Sequence, residues 1–156
     1  MLCEKPVSLS VARIEDCLKV VEKNKTTLMI GFNRRFDASF ASLERRIRQG
    51  VVGTVEMATI ISRDPAPPPA ENVKSSGGIF RDMMIHDFDL ARFLVGEDFV
   101  VVNALGAALV DKRIGDEGDC DTAAVQMQTA SGKIAVITNS RRATYGYDQR
   151  IEVHGS

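Results

Sequence analysis

Apolar residues recur at helical spacing over residues 10–24, where Val11, Ile14, Leu18 and Val21 share one face and Ser8 or Ser10 can cap the start. Thr27-Leu28-Met29-Ile30-Gly31-Phe32 is almost continuously apolar and stops near a glycine, the pattern of a short buried strand. From about Asp37 the helical period returns, with Phe40, Leu43 and Ile47 inward, Glu44, Arg45 and Arg48 outward, and Gly50 where a C-terminal cap belongs. Thr54 to Ile61 reads as strand. Asp64-Pro65-Ala66-Pro67-Pro68-Pro69 suits neither a helix interior nor a central strand and predicts a stiff loop. Gly77-Gly78 opens a long apolar helix that runs to about Val95 and stops at Gly96. Beyond it the period changes to two. Val100–Val110 predicts a strand and Gly115–Gly118 an acidic, turn-rich loop. Ala123, Val125 and Met127 alternate with Ala124, Gln126 and Gln128, Ser131-Gly132 suits a hairpin turn, and Ile134, Val136 and Thr138 return from it. Ile151 and Val153 begin a further strand.

This order predicts an α+β fold: an open, mainly antiparallel sheet with helices on one face. The first helix and strand differ from the rest, because they resemble the last helix-strand unit of a parallel α/β sheet. The pattern therefore divides the chain into 1–32, the remnant of an α/β domain, and 33–156, the α+β domain, cut short within a strand.

Composition narrows the function classes. With 156 residues, 44% apolar and 26% charged, the chain can bury one real core but is short for two. A net charge of −1, with acids and bases interspersed, offers no electrostatic footprint for nucleic acid or an anionic membrane. Cys3, Cys17 and Cys120 include no CxxC pair and fit reduced thiols, with Cys17 on the apolar stripe of its helix. The apolar runs are too short to span a bilayer and the first residues do not form a signal peptide, so the cytoplasm is the expected location.

Three local features carry chemistry. In Glu4-Lys5-Pro6 the proline biases Lys5 toward an extended backbone and holds its amine on a defined turn; a solvated lysine ahead of a helix is the plainer reading. Asp82 and His86 stand at i, i+4 with Asp89 continuing the stripe, on a helix otherwise built from Met84, Ile85, Phe88, Ala91, Leu94 and Val95. A polar stripe on so apolar a helix suits the wall of a cleft, where a carboxylate orients an imidazole that acts as general base. A surface stripe, or a histidine satisfied within the core, would show the same spacing; a metal site lacks an obvious third ligand. Gly31-Phe32-Asn33-Arg34-Arg35-Phe36-Asp37 follows a strand end, where ligands bind in open α/β sheets, although Asp37 also suits a helix cap. Asn139-Ser140-Arg141-Arg142, followed by Tyr145-Gly146-Tyr147-Asp148, forms a polar, aromatic turn.

Taken in order, Glu-Lys-Pro, Gly-Phe-Asn-Arg-Arg-Phe-Asp and Gly-Gly-Ile-Phe-Arg-Asp-Met-Met-Ile-His-Asp-Phe-Asp closely resemble the glucose-fructose oxidoreductase/inositol dehydrogenase superfamily. The stretch from Asn139 to Ser156 looks like its inositol 2-dehydrogenase branch, and the resemblance covers essentially the whole chain. It implies an N-terminal Rossmann domain that binds NAD or NADP, followed by a domain that contacts substrate and forms the oligomer, commonly a tetramer. On this resemblance Lys5, Asp82 and His86 are catalytic, Glu4 and Lys5 border the cofactor, and Asn33, Arg34, Asp64 and Tyr147 border the substrate. The implied reaction oxidises a ring hydroxyl of a polyol such as myo-inositol to a ketone, with neither nucleic acid nor membrane as partner and no metal. His86 takes the hydroxyl proton, Asp82 orients the imidazole, and Lys5 donates to the reacting oxygen. The family's G-x-G-x-x-G phosphate loop is absent from these residues, so the cofactor is assigned to a longer parent. Two alternatives stay open: a related sugar or amino-polyol dehydrogenase, and a catalytically silent product that keeps only oligomerisation or sugar binding.

Overall fold

The computed structural model describes residues 1–69, 71–73 and 75–156, which form two compact units, Met1–Asn33 and Arg34–Ser156. In the first unit, β1 (Leu2–Cys3) pairs in parallel with β2 (Met29–Ile30), joined by the crossover helix α1 (Val11–Lys23). The Met29 and Gly31 amides donate to the carbonyls of Met1 and Cys3 at 2.9 and 2.8 Å. Gly31 stands against the tip of the exposed Glu4 side chain, whose carboxylate would lie 2.9 Å from a Cβ there. The predicted strand 27–32 shortens to two residues because β1 offers only two partners. Ser10 is the N-cap of α1 without a side-chain cap bond, while the Ser8 hydroxyl accepts from the Ser10 amide at 3.2 Å. None of residues 1–33 is buried.

A 3-10 turn over Asn33–Phe36 starts at the last residue of the first unit and is followed by helix α2 (Ala38–Arg48), which Asp37 caps by accepting from the Ser39 and Phe40 amides at 2.9 and 3.1 Å. Then follow β3 (Val55–Arg63), the short α3 (Ala70–Ser76), a π-helical turn (Ile79–Met83) and α4 (Ile85–Val95). β4 (Phe99–Ala107), α5 (Lys112–Asp116), β5 (Thr122–Thr129), β6 (Ile134–Ser140) and β7 (Asp148–Gly155) complete the second unit. The sheet order is β4-β5-β6-β3-β7. Every pair is antiparallel except β3 with β6, which run parallel with Ile60 opposite Ile137 and Ser62 opposite Asn139. The α+β class and the mainly antiparallel sheet are as the pattern predicts, and the parallel pair is an addition to it.

Ile60, Ala123, Val125, Met127, Ala135 and Ile137 line the covered face and pack on Ile79, Met84, Leu90, Ala91 and Leu94, while Ala58 packs with Val55 and Val95. Each large side chain so buried contributes about 1.5–3 kcal/mol before the entropic cost of ordering it. The opposite face leaves Ala124, Gln126, Gln128 and Ile134 exposed, and nearly all of the edge strand β4 is exposed. Phe40, Leu43 and Ile47 of α2 pack against the core as their spacing predicts.

Three predicted boundaries in this unit also differ. The helix expected from Gly77 to Val95 is interrupted at its start: the Met84 amide reaches back five residues to the Ile79 carbonyl at 2.8 Å, the bond of a π turn. Gly78 permits this entry, with φ at 78° and the Asp119 carboxylate standing where a Cβ would be; both Asp119 oxygens accept from the Ile79 amide at 3.1 and 3.2 Å. β4 ends at Ala107 instead of Val110, because the buried Asp121 carboxylate takes the Leu109, Val110 and Asp111 amides, each at 2.9 Å. Burial works against charge on Asp121, but these amides and the Thr122 hydroxyl outweigh it and hold the carboxyl below its ordinary range. The acidic loop contains a helical turn instead of coil, since the Asp111 side chain caps it on the Arg113 amide at 3.0 Å and Ile114 is fully buried. Among the described residues no helix is long and apolar enough to cross a membrane.

Candidate functional site

Parallel pairing of β3 with β6 brings their carboxyl ends together, so that Asp64 and Arg141 emerge side by side just past the last paired residues. The Asp64 amide donates to the Ser140 carbonyl at 3.0 Å and the Arg141 amide to the Asp121 carbonyl at 2.8 Å, which fixes both starting points. The π turn carries Asp82 and the first turn of α4 carries His86 and Asp87.

Asp87 organises the floor of this site. It is fully buried and accepts from Ser62 Oγ at 2.7 Å, from Asn139 Nδ2 at 2.8 Å and from Arg34 Nη1 in a short contact. Ser62 and Asn139 can converge because they are register partners on the covered face of the sheet. The Arg34 side chain is 12% exposed, so this is a buried ion pair whose desolvation is offset by three bonds on one carboxylate. Beside it Asp89 makes a bidentate pair with Arg35 at 2.6 and 2.8 Å, and the Arg35 guanidinium lies 4.9 Å from the centre of the Phe93 ring. Asp89 therefore ties the 3-10 turn to α4 instead of extending the Asp82–His86 stripe. That stripe also crosses from a π turn into an α-helix, which changes the geometry that i, i+4 spacing assumes.

Above the floor, Arg141 Nη2 stands 3.6 Å from Asp82 Oδ2; the guanidinium is 3% exposed and the carboxylate 38%. Asp64 is half-buried in the same cluster. Burial pushes its carboxyl above the ordinary carboxylate range, Arg141 opposes this, Asp82 adds to it, and Arg34 and Asp87 act in turn with opposite signs. The structure thus brings Arg34, Asp64 and Asp82 into one electrostatic cluster, with half-buried His86 directly preceding Asp87. Tyr147 is 73% exposed on the turn between β6 and β7 and shares none of the cluster's hydrogen bonds. In the first unit Glu4 is exposed, Lys5 is half-buried before a cis Pro6, and Asn33 is exposed at its end. Among the described residues no group of three or more His, Cys, Asp or Glu is arranged to hold a metal.

Sequence reasoning missed Ser62 and Asp87 and gave Arg141 no separate role. Asp87 had a usable signal: it shares the helical stripe of Leu90, Ala91 and Leu94, and an acid on a core stripe must find a buried partner.

The GFO/IDH/MocA C-terminal domain model matches residues 40–156. The chain belongs to this family. Among its GFO/IDH/MocA relatives, inositol 2-dehydrogenase of Rhizobium meliloti (strain 1021) is 62% identical over 156 residues, all of this chain and 47% of that protein. Myo-inositol 2-dehydrogenase of Thermotoga maritima is 51% identical, again over all of this chain and 47% of that protein. The crystal structure of scyllo-inositol dehydrogenase from Lactobacillus casei, with NAD(H) and scyllo-inositol bound, superposes with a TM-score of 0.88 at 31% identity, covering 99% of this chain and 47% of that one. The chain spans about half the length of the relatives it matches.

Proposed function

We propose that these residues form the substrate side of an inositol 2-dehydrogenase, whose complete form oxidises a ring hydroxyl of myo-inositol or a related polyol to a ketone. The observation that carries this reading is the charged cluster at the carboxyl ends of β3 and β6, set beside His86, in a chain 62% identical to an inositol 2-dehydrogenase. A polyol offers several hydroxyls at fixed spacing, and the cluster offers several carboxylates and guanidinium groups to meet them.

In this reading a ring nitrogen of His86 accepts the hydroxyl proton, and Asp82 orients the imidazole and accepts from a neighbouring hydroxyl. Lys5 donates to the reacting oxygen as negative charge develops on it. Asn33, Asp64 and Tyr147 border the ring. Arg34 borders it from beneath, because its Nη1 is already bound to Asp87 and Ser62. Glu4 and Lys5 meet the nicotinamide end of NAD or NADP, which when bound supplies the hydride acceptor. The phosphate loop that would hold the other end of that cofactor, G-x-G-x-x-G, is not among these residues. Residues 34–156 also leave an open sheet face on which Val101, Leu105 and Ile134 are exposed, and the complete enzyme oligomerises through it.

The test is cofactor reduction by the purified full-length protein with myo-inositol, scyllo-inositol and glucose as substrates. Inositol-dependent reduction by the full-length protein, and none by the isolated 156-residue chain, is the expected result. A full-length protein that reduces cofactor with glucose alone, or with none of the three, contradicts the assignment.

A further inference from the structure

We propose that Arg141 is a positioning residue for Asp82, holding the carboxylate from behind so that its outer face is presented to His86 and the substrate. The inference rests on the reading that Asp82 and His86 serve the reaction, and it adds a residue to that machinery.

Burial gives the first argument. The guanidinium is 3% exposed while Asp82 is 38% exposed, so Asp82 faces the open side and Arg141 lies under it. The second is an imbalance in hydrogen bonding. Among the described residues, the buried Nε and Nη2 of Arg141 have no hydrogen-bond partner. Two covered donors in that state are costly, and more so on a charged group. Their N–H bonds leave one edge of the guanidinium in parallel, the edge whose spacing matches the two oxygens of a carboxylate. Nη2 on that edge points to Asp82 Oδ2 at 3.6 Å. A displacement of less than about 1 Å brings the pair within hydrogen-bond distance.

The base of Arg141 does not yield to meet it. Its amide is held by the Asp121 carbonyl at 2.8 Å, and the Asp121 carboxylate is clamped by three amides of the 109–111 turn. Arg141 also directly follows β6, which has paired strands on both sides. Asp82, by contrast, is carried on a π turn, a wider and less regular segment. Arg141 is thus anchored through its backbone beneath Asp82. Asp64, the other acid facing this guanidinium, is placed by its own bond to Ser140.

The experiment is a double-mutant cycle in the full-length enzyme with Arg141→Met, Asp82→Asn and the pair, measuring kcat and KM for inositol per folded site. Arg141→Met is expected to lower kcat roughly 10- to 100-fold with KM changed less, and the pair to be no slower than Asp82→Asn alone, as for residues acting as one unit. The acid limb of the pH profile should move to higher pH, because loss of a buried cation raises the proton affinity of groups beside it. Arg141→Lys keeps the charge without the parallel edge; it should restore that limb and only part of kcat, and it carries the same cycle where the Met variant does not fold. Losses that multiply in the double variant, or a folded Arg141→Met enzyme with unchanged kcat and pH profile, overturn the proposal while leaving the reaction intact. An Asp82→Asn enzyme of normal turnover overturns the reading of the reaction, and this proposal with it.

Discussion

Helices α1 and α4 both present apolar stripes to a neighbouring sheet, yet they end in opposite states. α1 packs beside two strands of two residues each and buries nothing, and Val11 and Leu18 remain 70% and 48% exposed. α4 lies on a five-stranded sheet and fully covers Leu90, Ala91 and the charged Asp87. Two short strands cannot offer a face wide enough to cover a helix, whereas three or more can. Periodicity marks the side of a helix that needs cover, and the extent of the sheet decides how much it receives.

The contrast can be broken by substitution in the isolated chain, with stability read from chemical denaturation. Asp87→Ala should have the largest effect, about 3–5 kcal/mol, because Arg34 keeps its buried charge and loses its counter-ion. Ile137→Ala, in the centre of the sheet, should cost about 2–5 kcal/mol through lost burial and the cavity left behind. Leu18→Ala on α1 should stay within about 0.5 kcal/mol, the usual range for an exposed position. A Leu18 effect equal to that of Ile137 would erase the distinction between the two units. The same Leu18 substitution in the full-length protein sharpens it, since a cost above about 1 kcal/mol there means that more of the protein covers this face.

Legibility in the sequence followed the range of the interactions involved. The alternation of β5 marked its covered and exposed residues, because a half-buried strand has period two whatever its partners. Asp37 and Gly96 marked helix ends because capping acts within one turn. The parallel pairing of β3 with β6 joins segments more than seventy residues apart and leaves no local period of its own. The same distance hid the roles of Arg34 and Asp87, which are 53 residues apart and meet only because the turn, strands and helix converge. Spacing singles out Asp82 and His86, but the π turn between Ile79 and Met83 depends on the Asp119 carboxylate, some forty residues downstream, which accepts from the Ile79 amide. The resemblance assigns Arg34 to the substrate, and nothing local in the sequence shows that its guanidinium is bound to the buried Asp87. The buried members of the cluster were thus harder to read than the half-exposed ones.

The proposed role of His86 is tested most directly by turnover, melting temperature and pH profile measured together on a His86→Ala preparation of the full-length enzyme. Loss of the positioned base should lower kcat roughly 10²–10⁴-fold, with cofactor affinity little changed. The acid limb of the pH profile should disappear, because no imidazole remains that must lose its proton before the reaction. A histidine that only packs against the core predicts the reverse, a lower melting temperature with near-normal turnover in the molecules that stay folded. Folded His86→Ala enzyme that retains both its turnover and its acid limb would contradict the assignment.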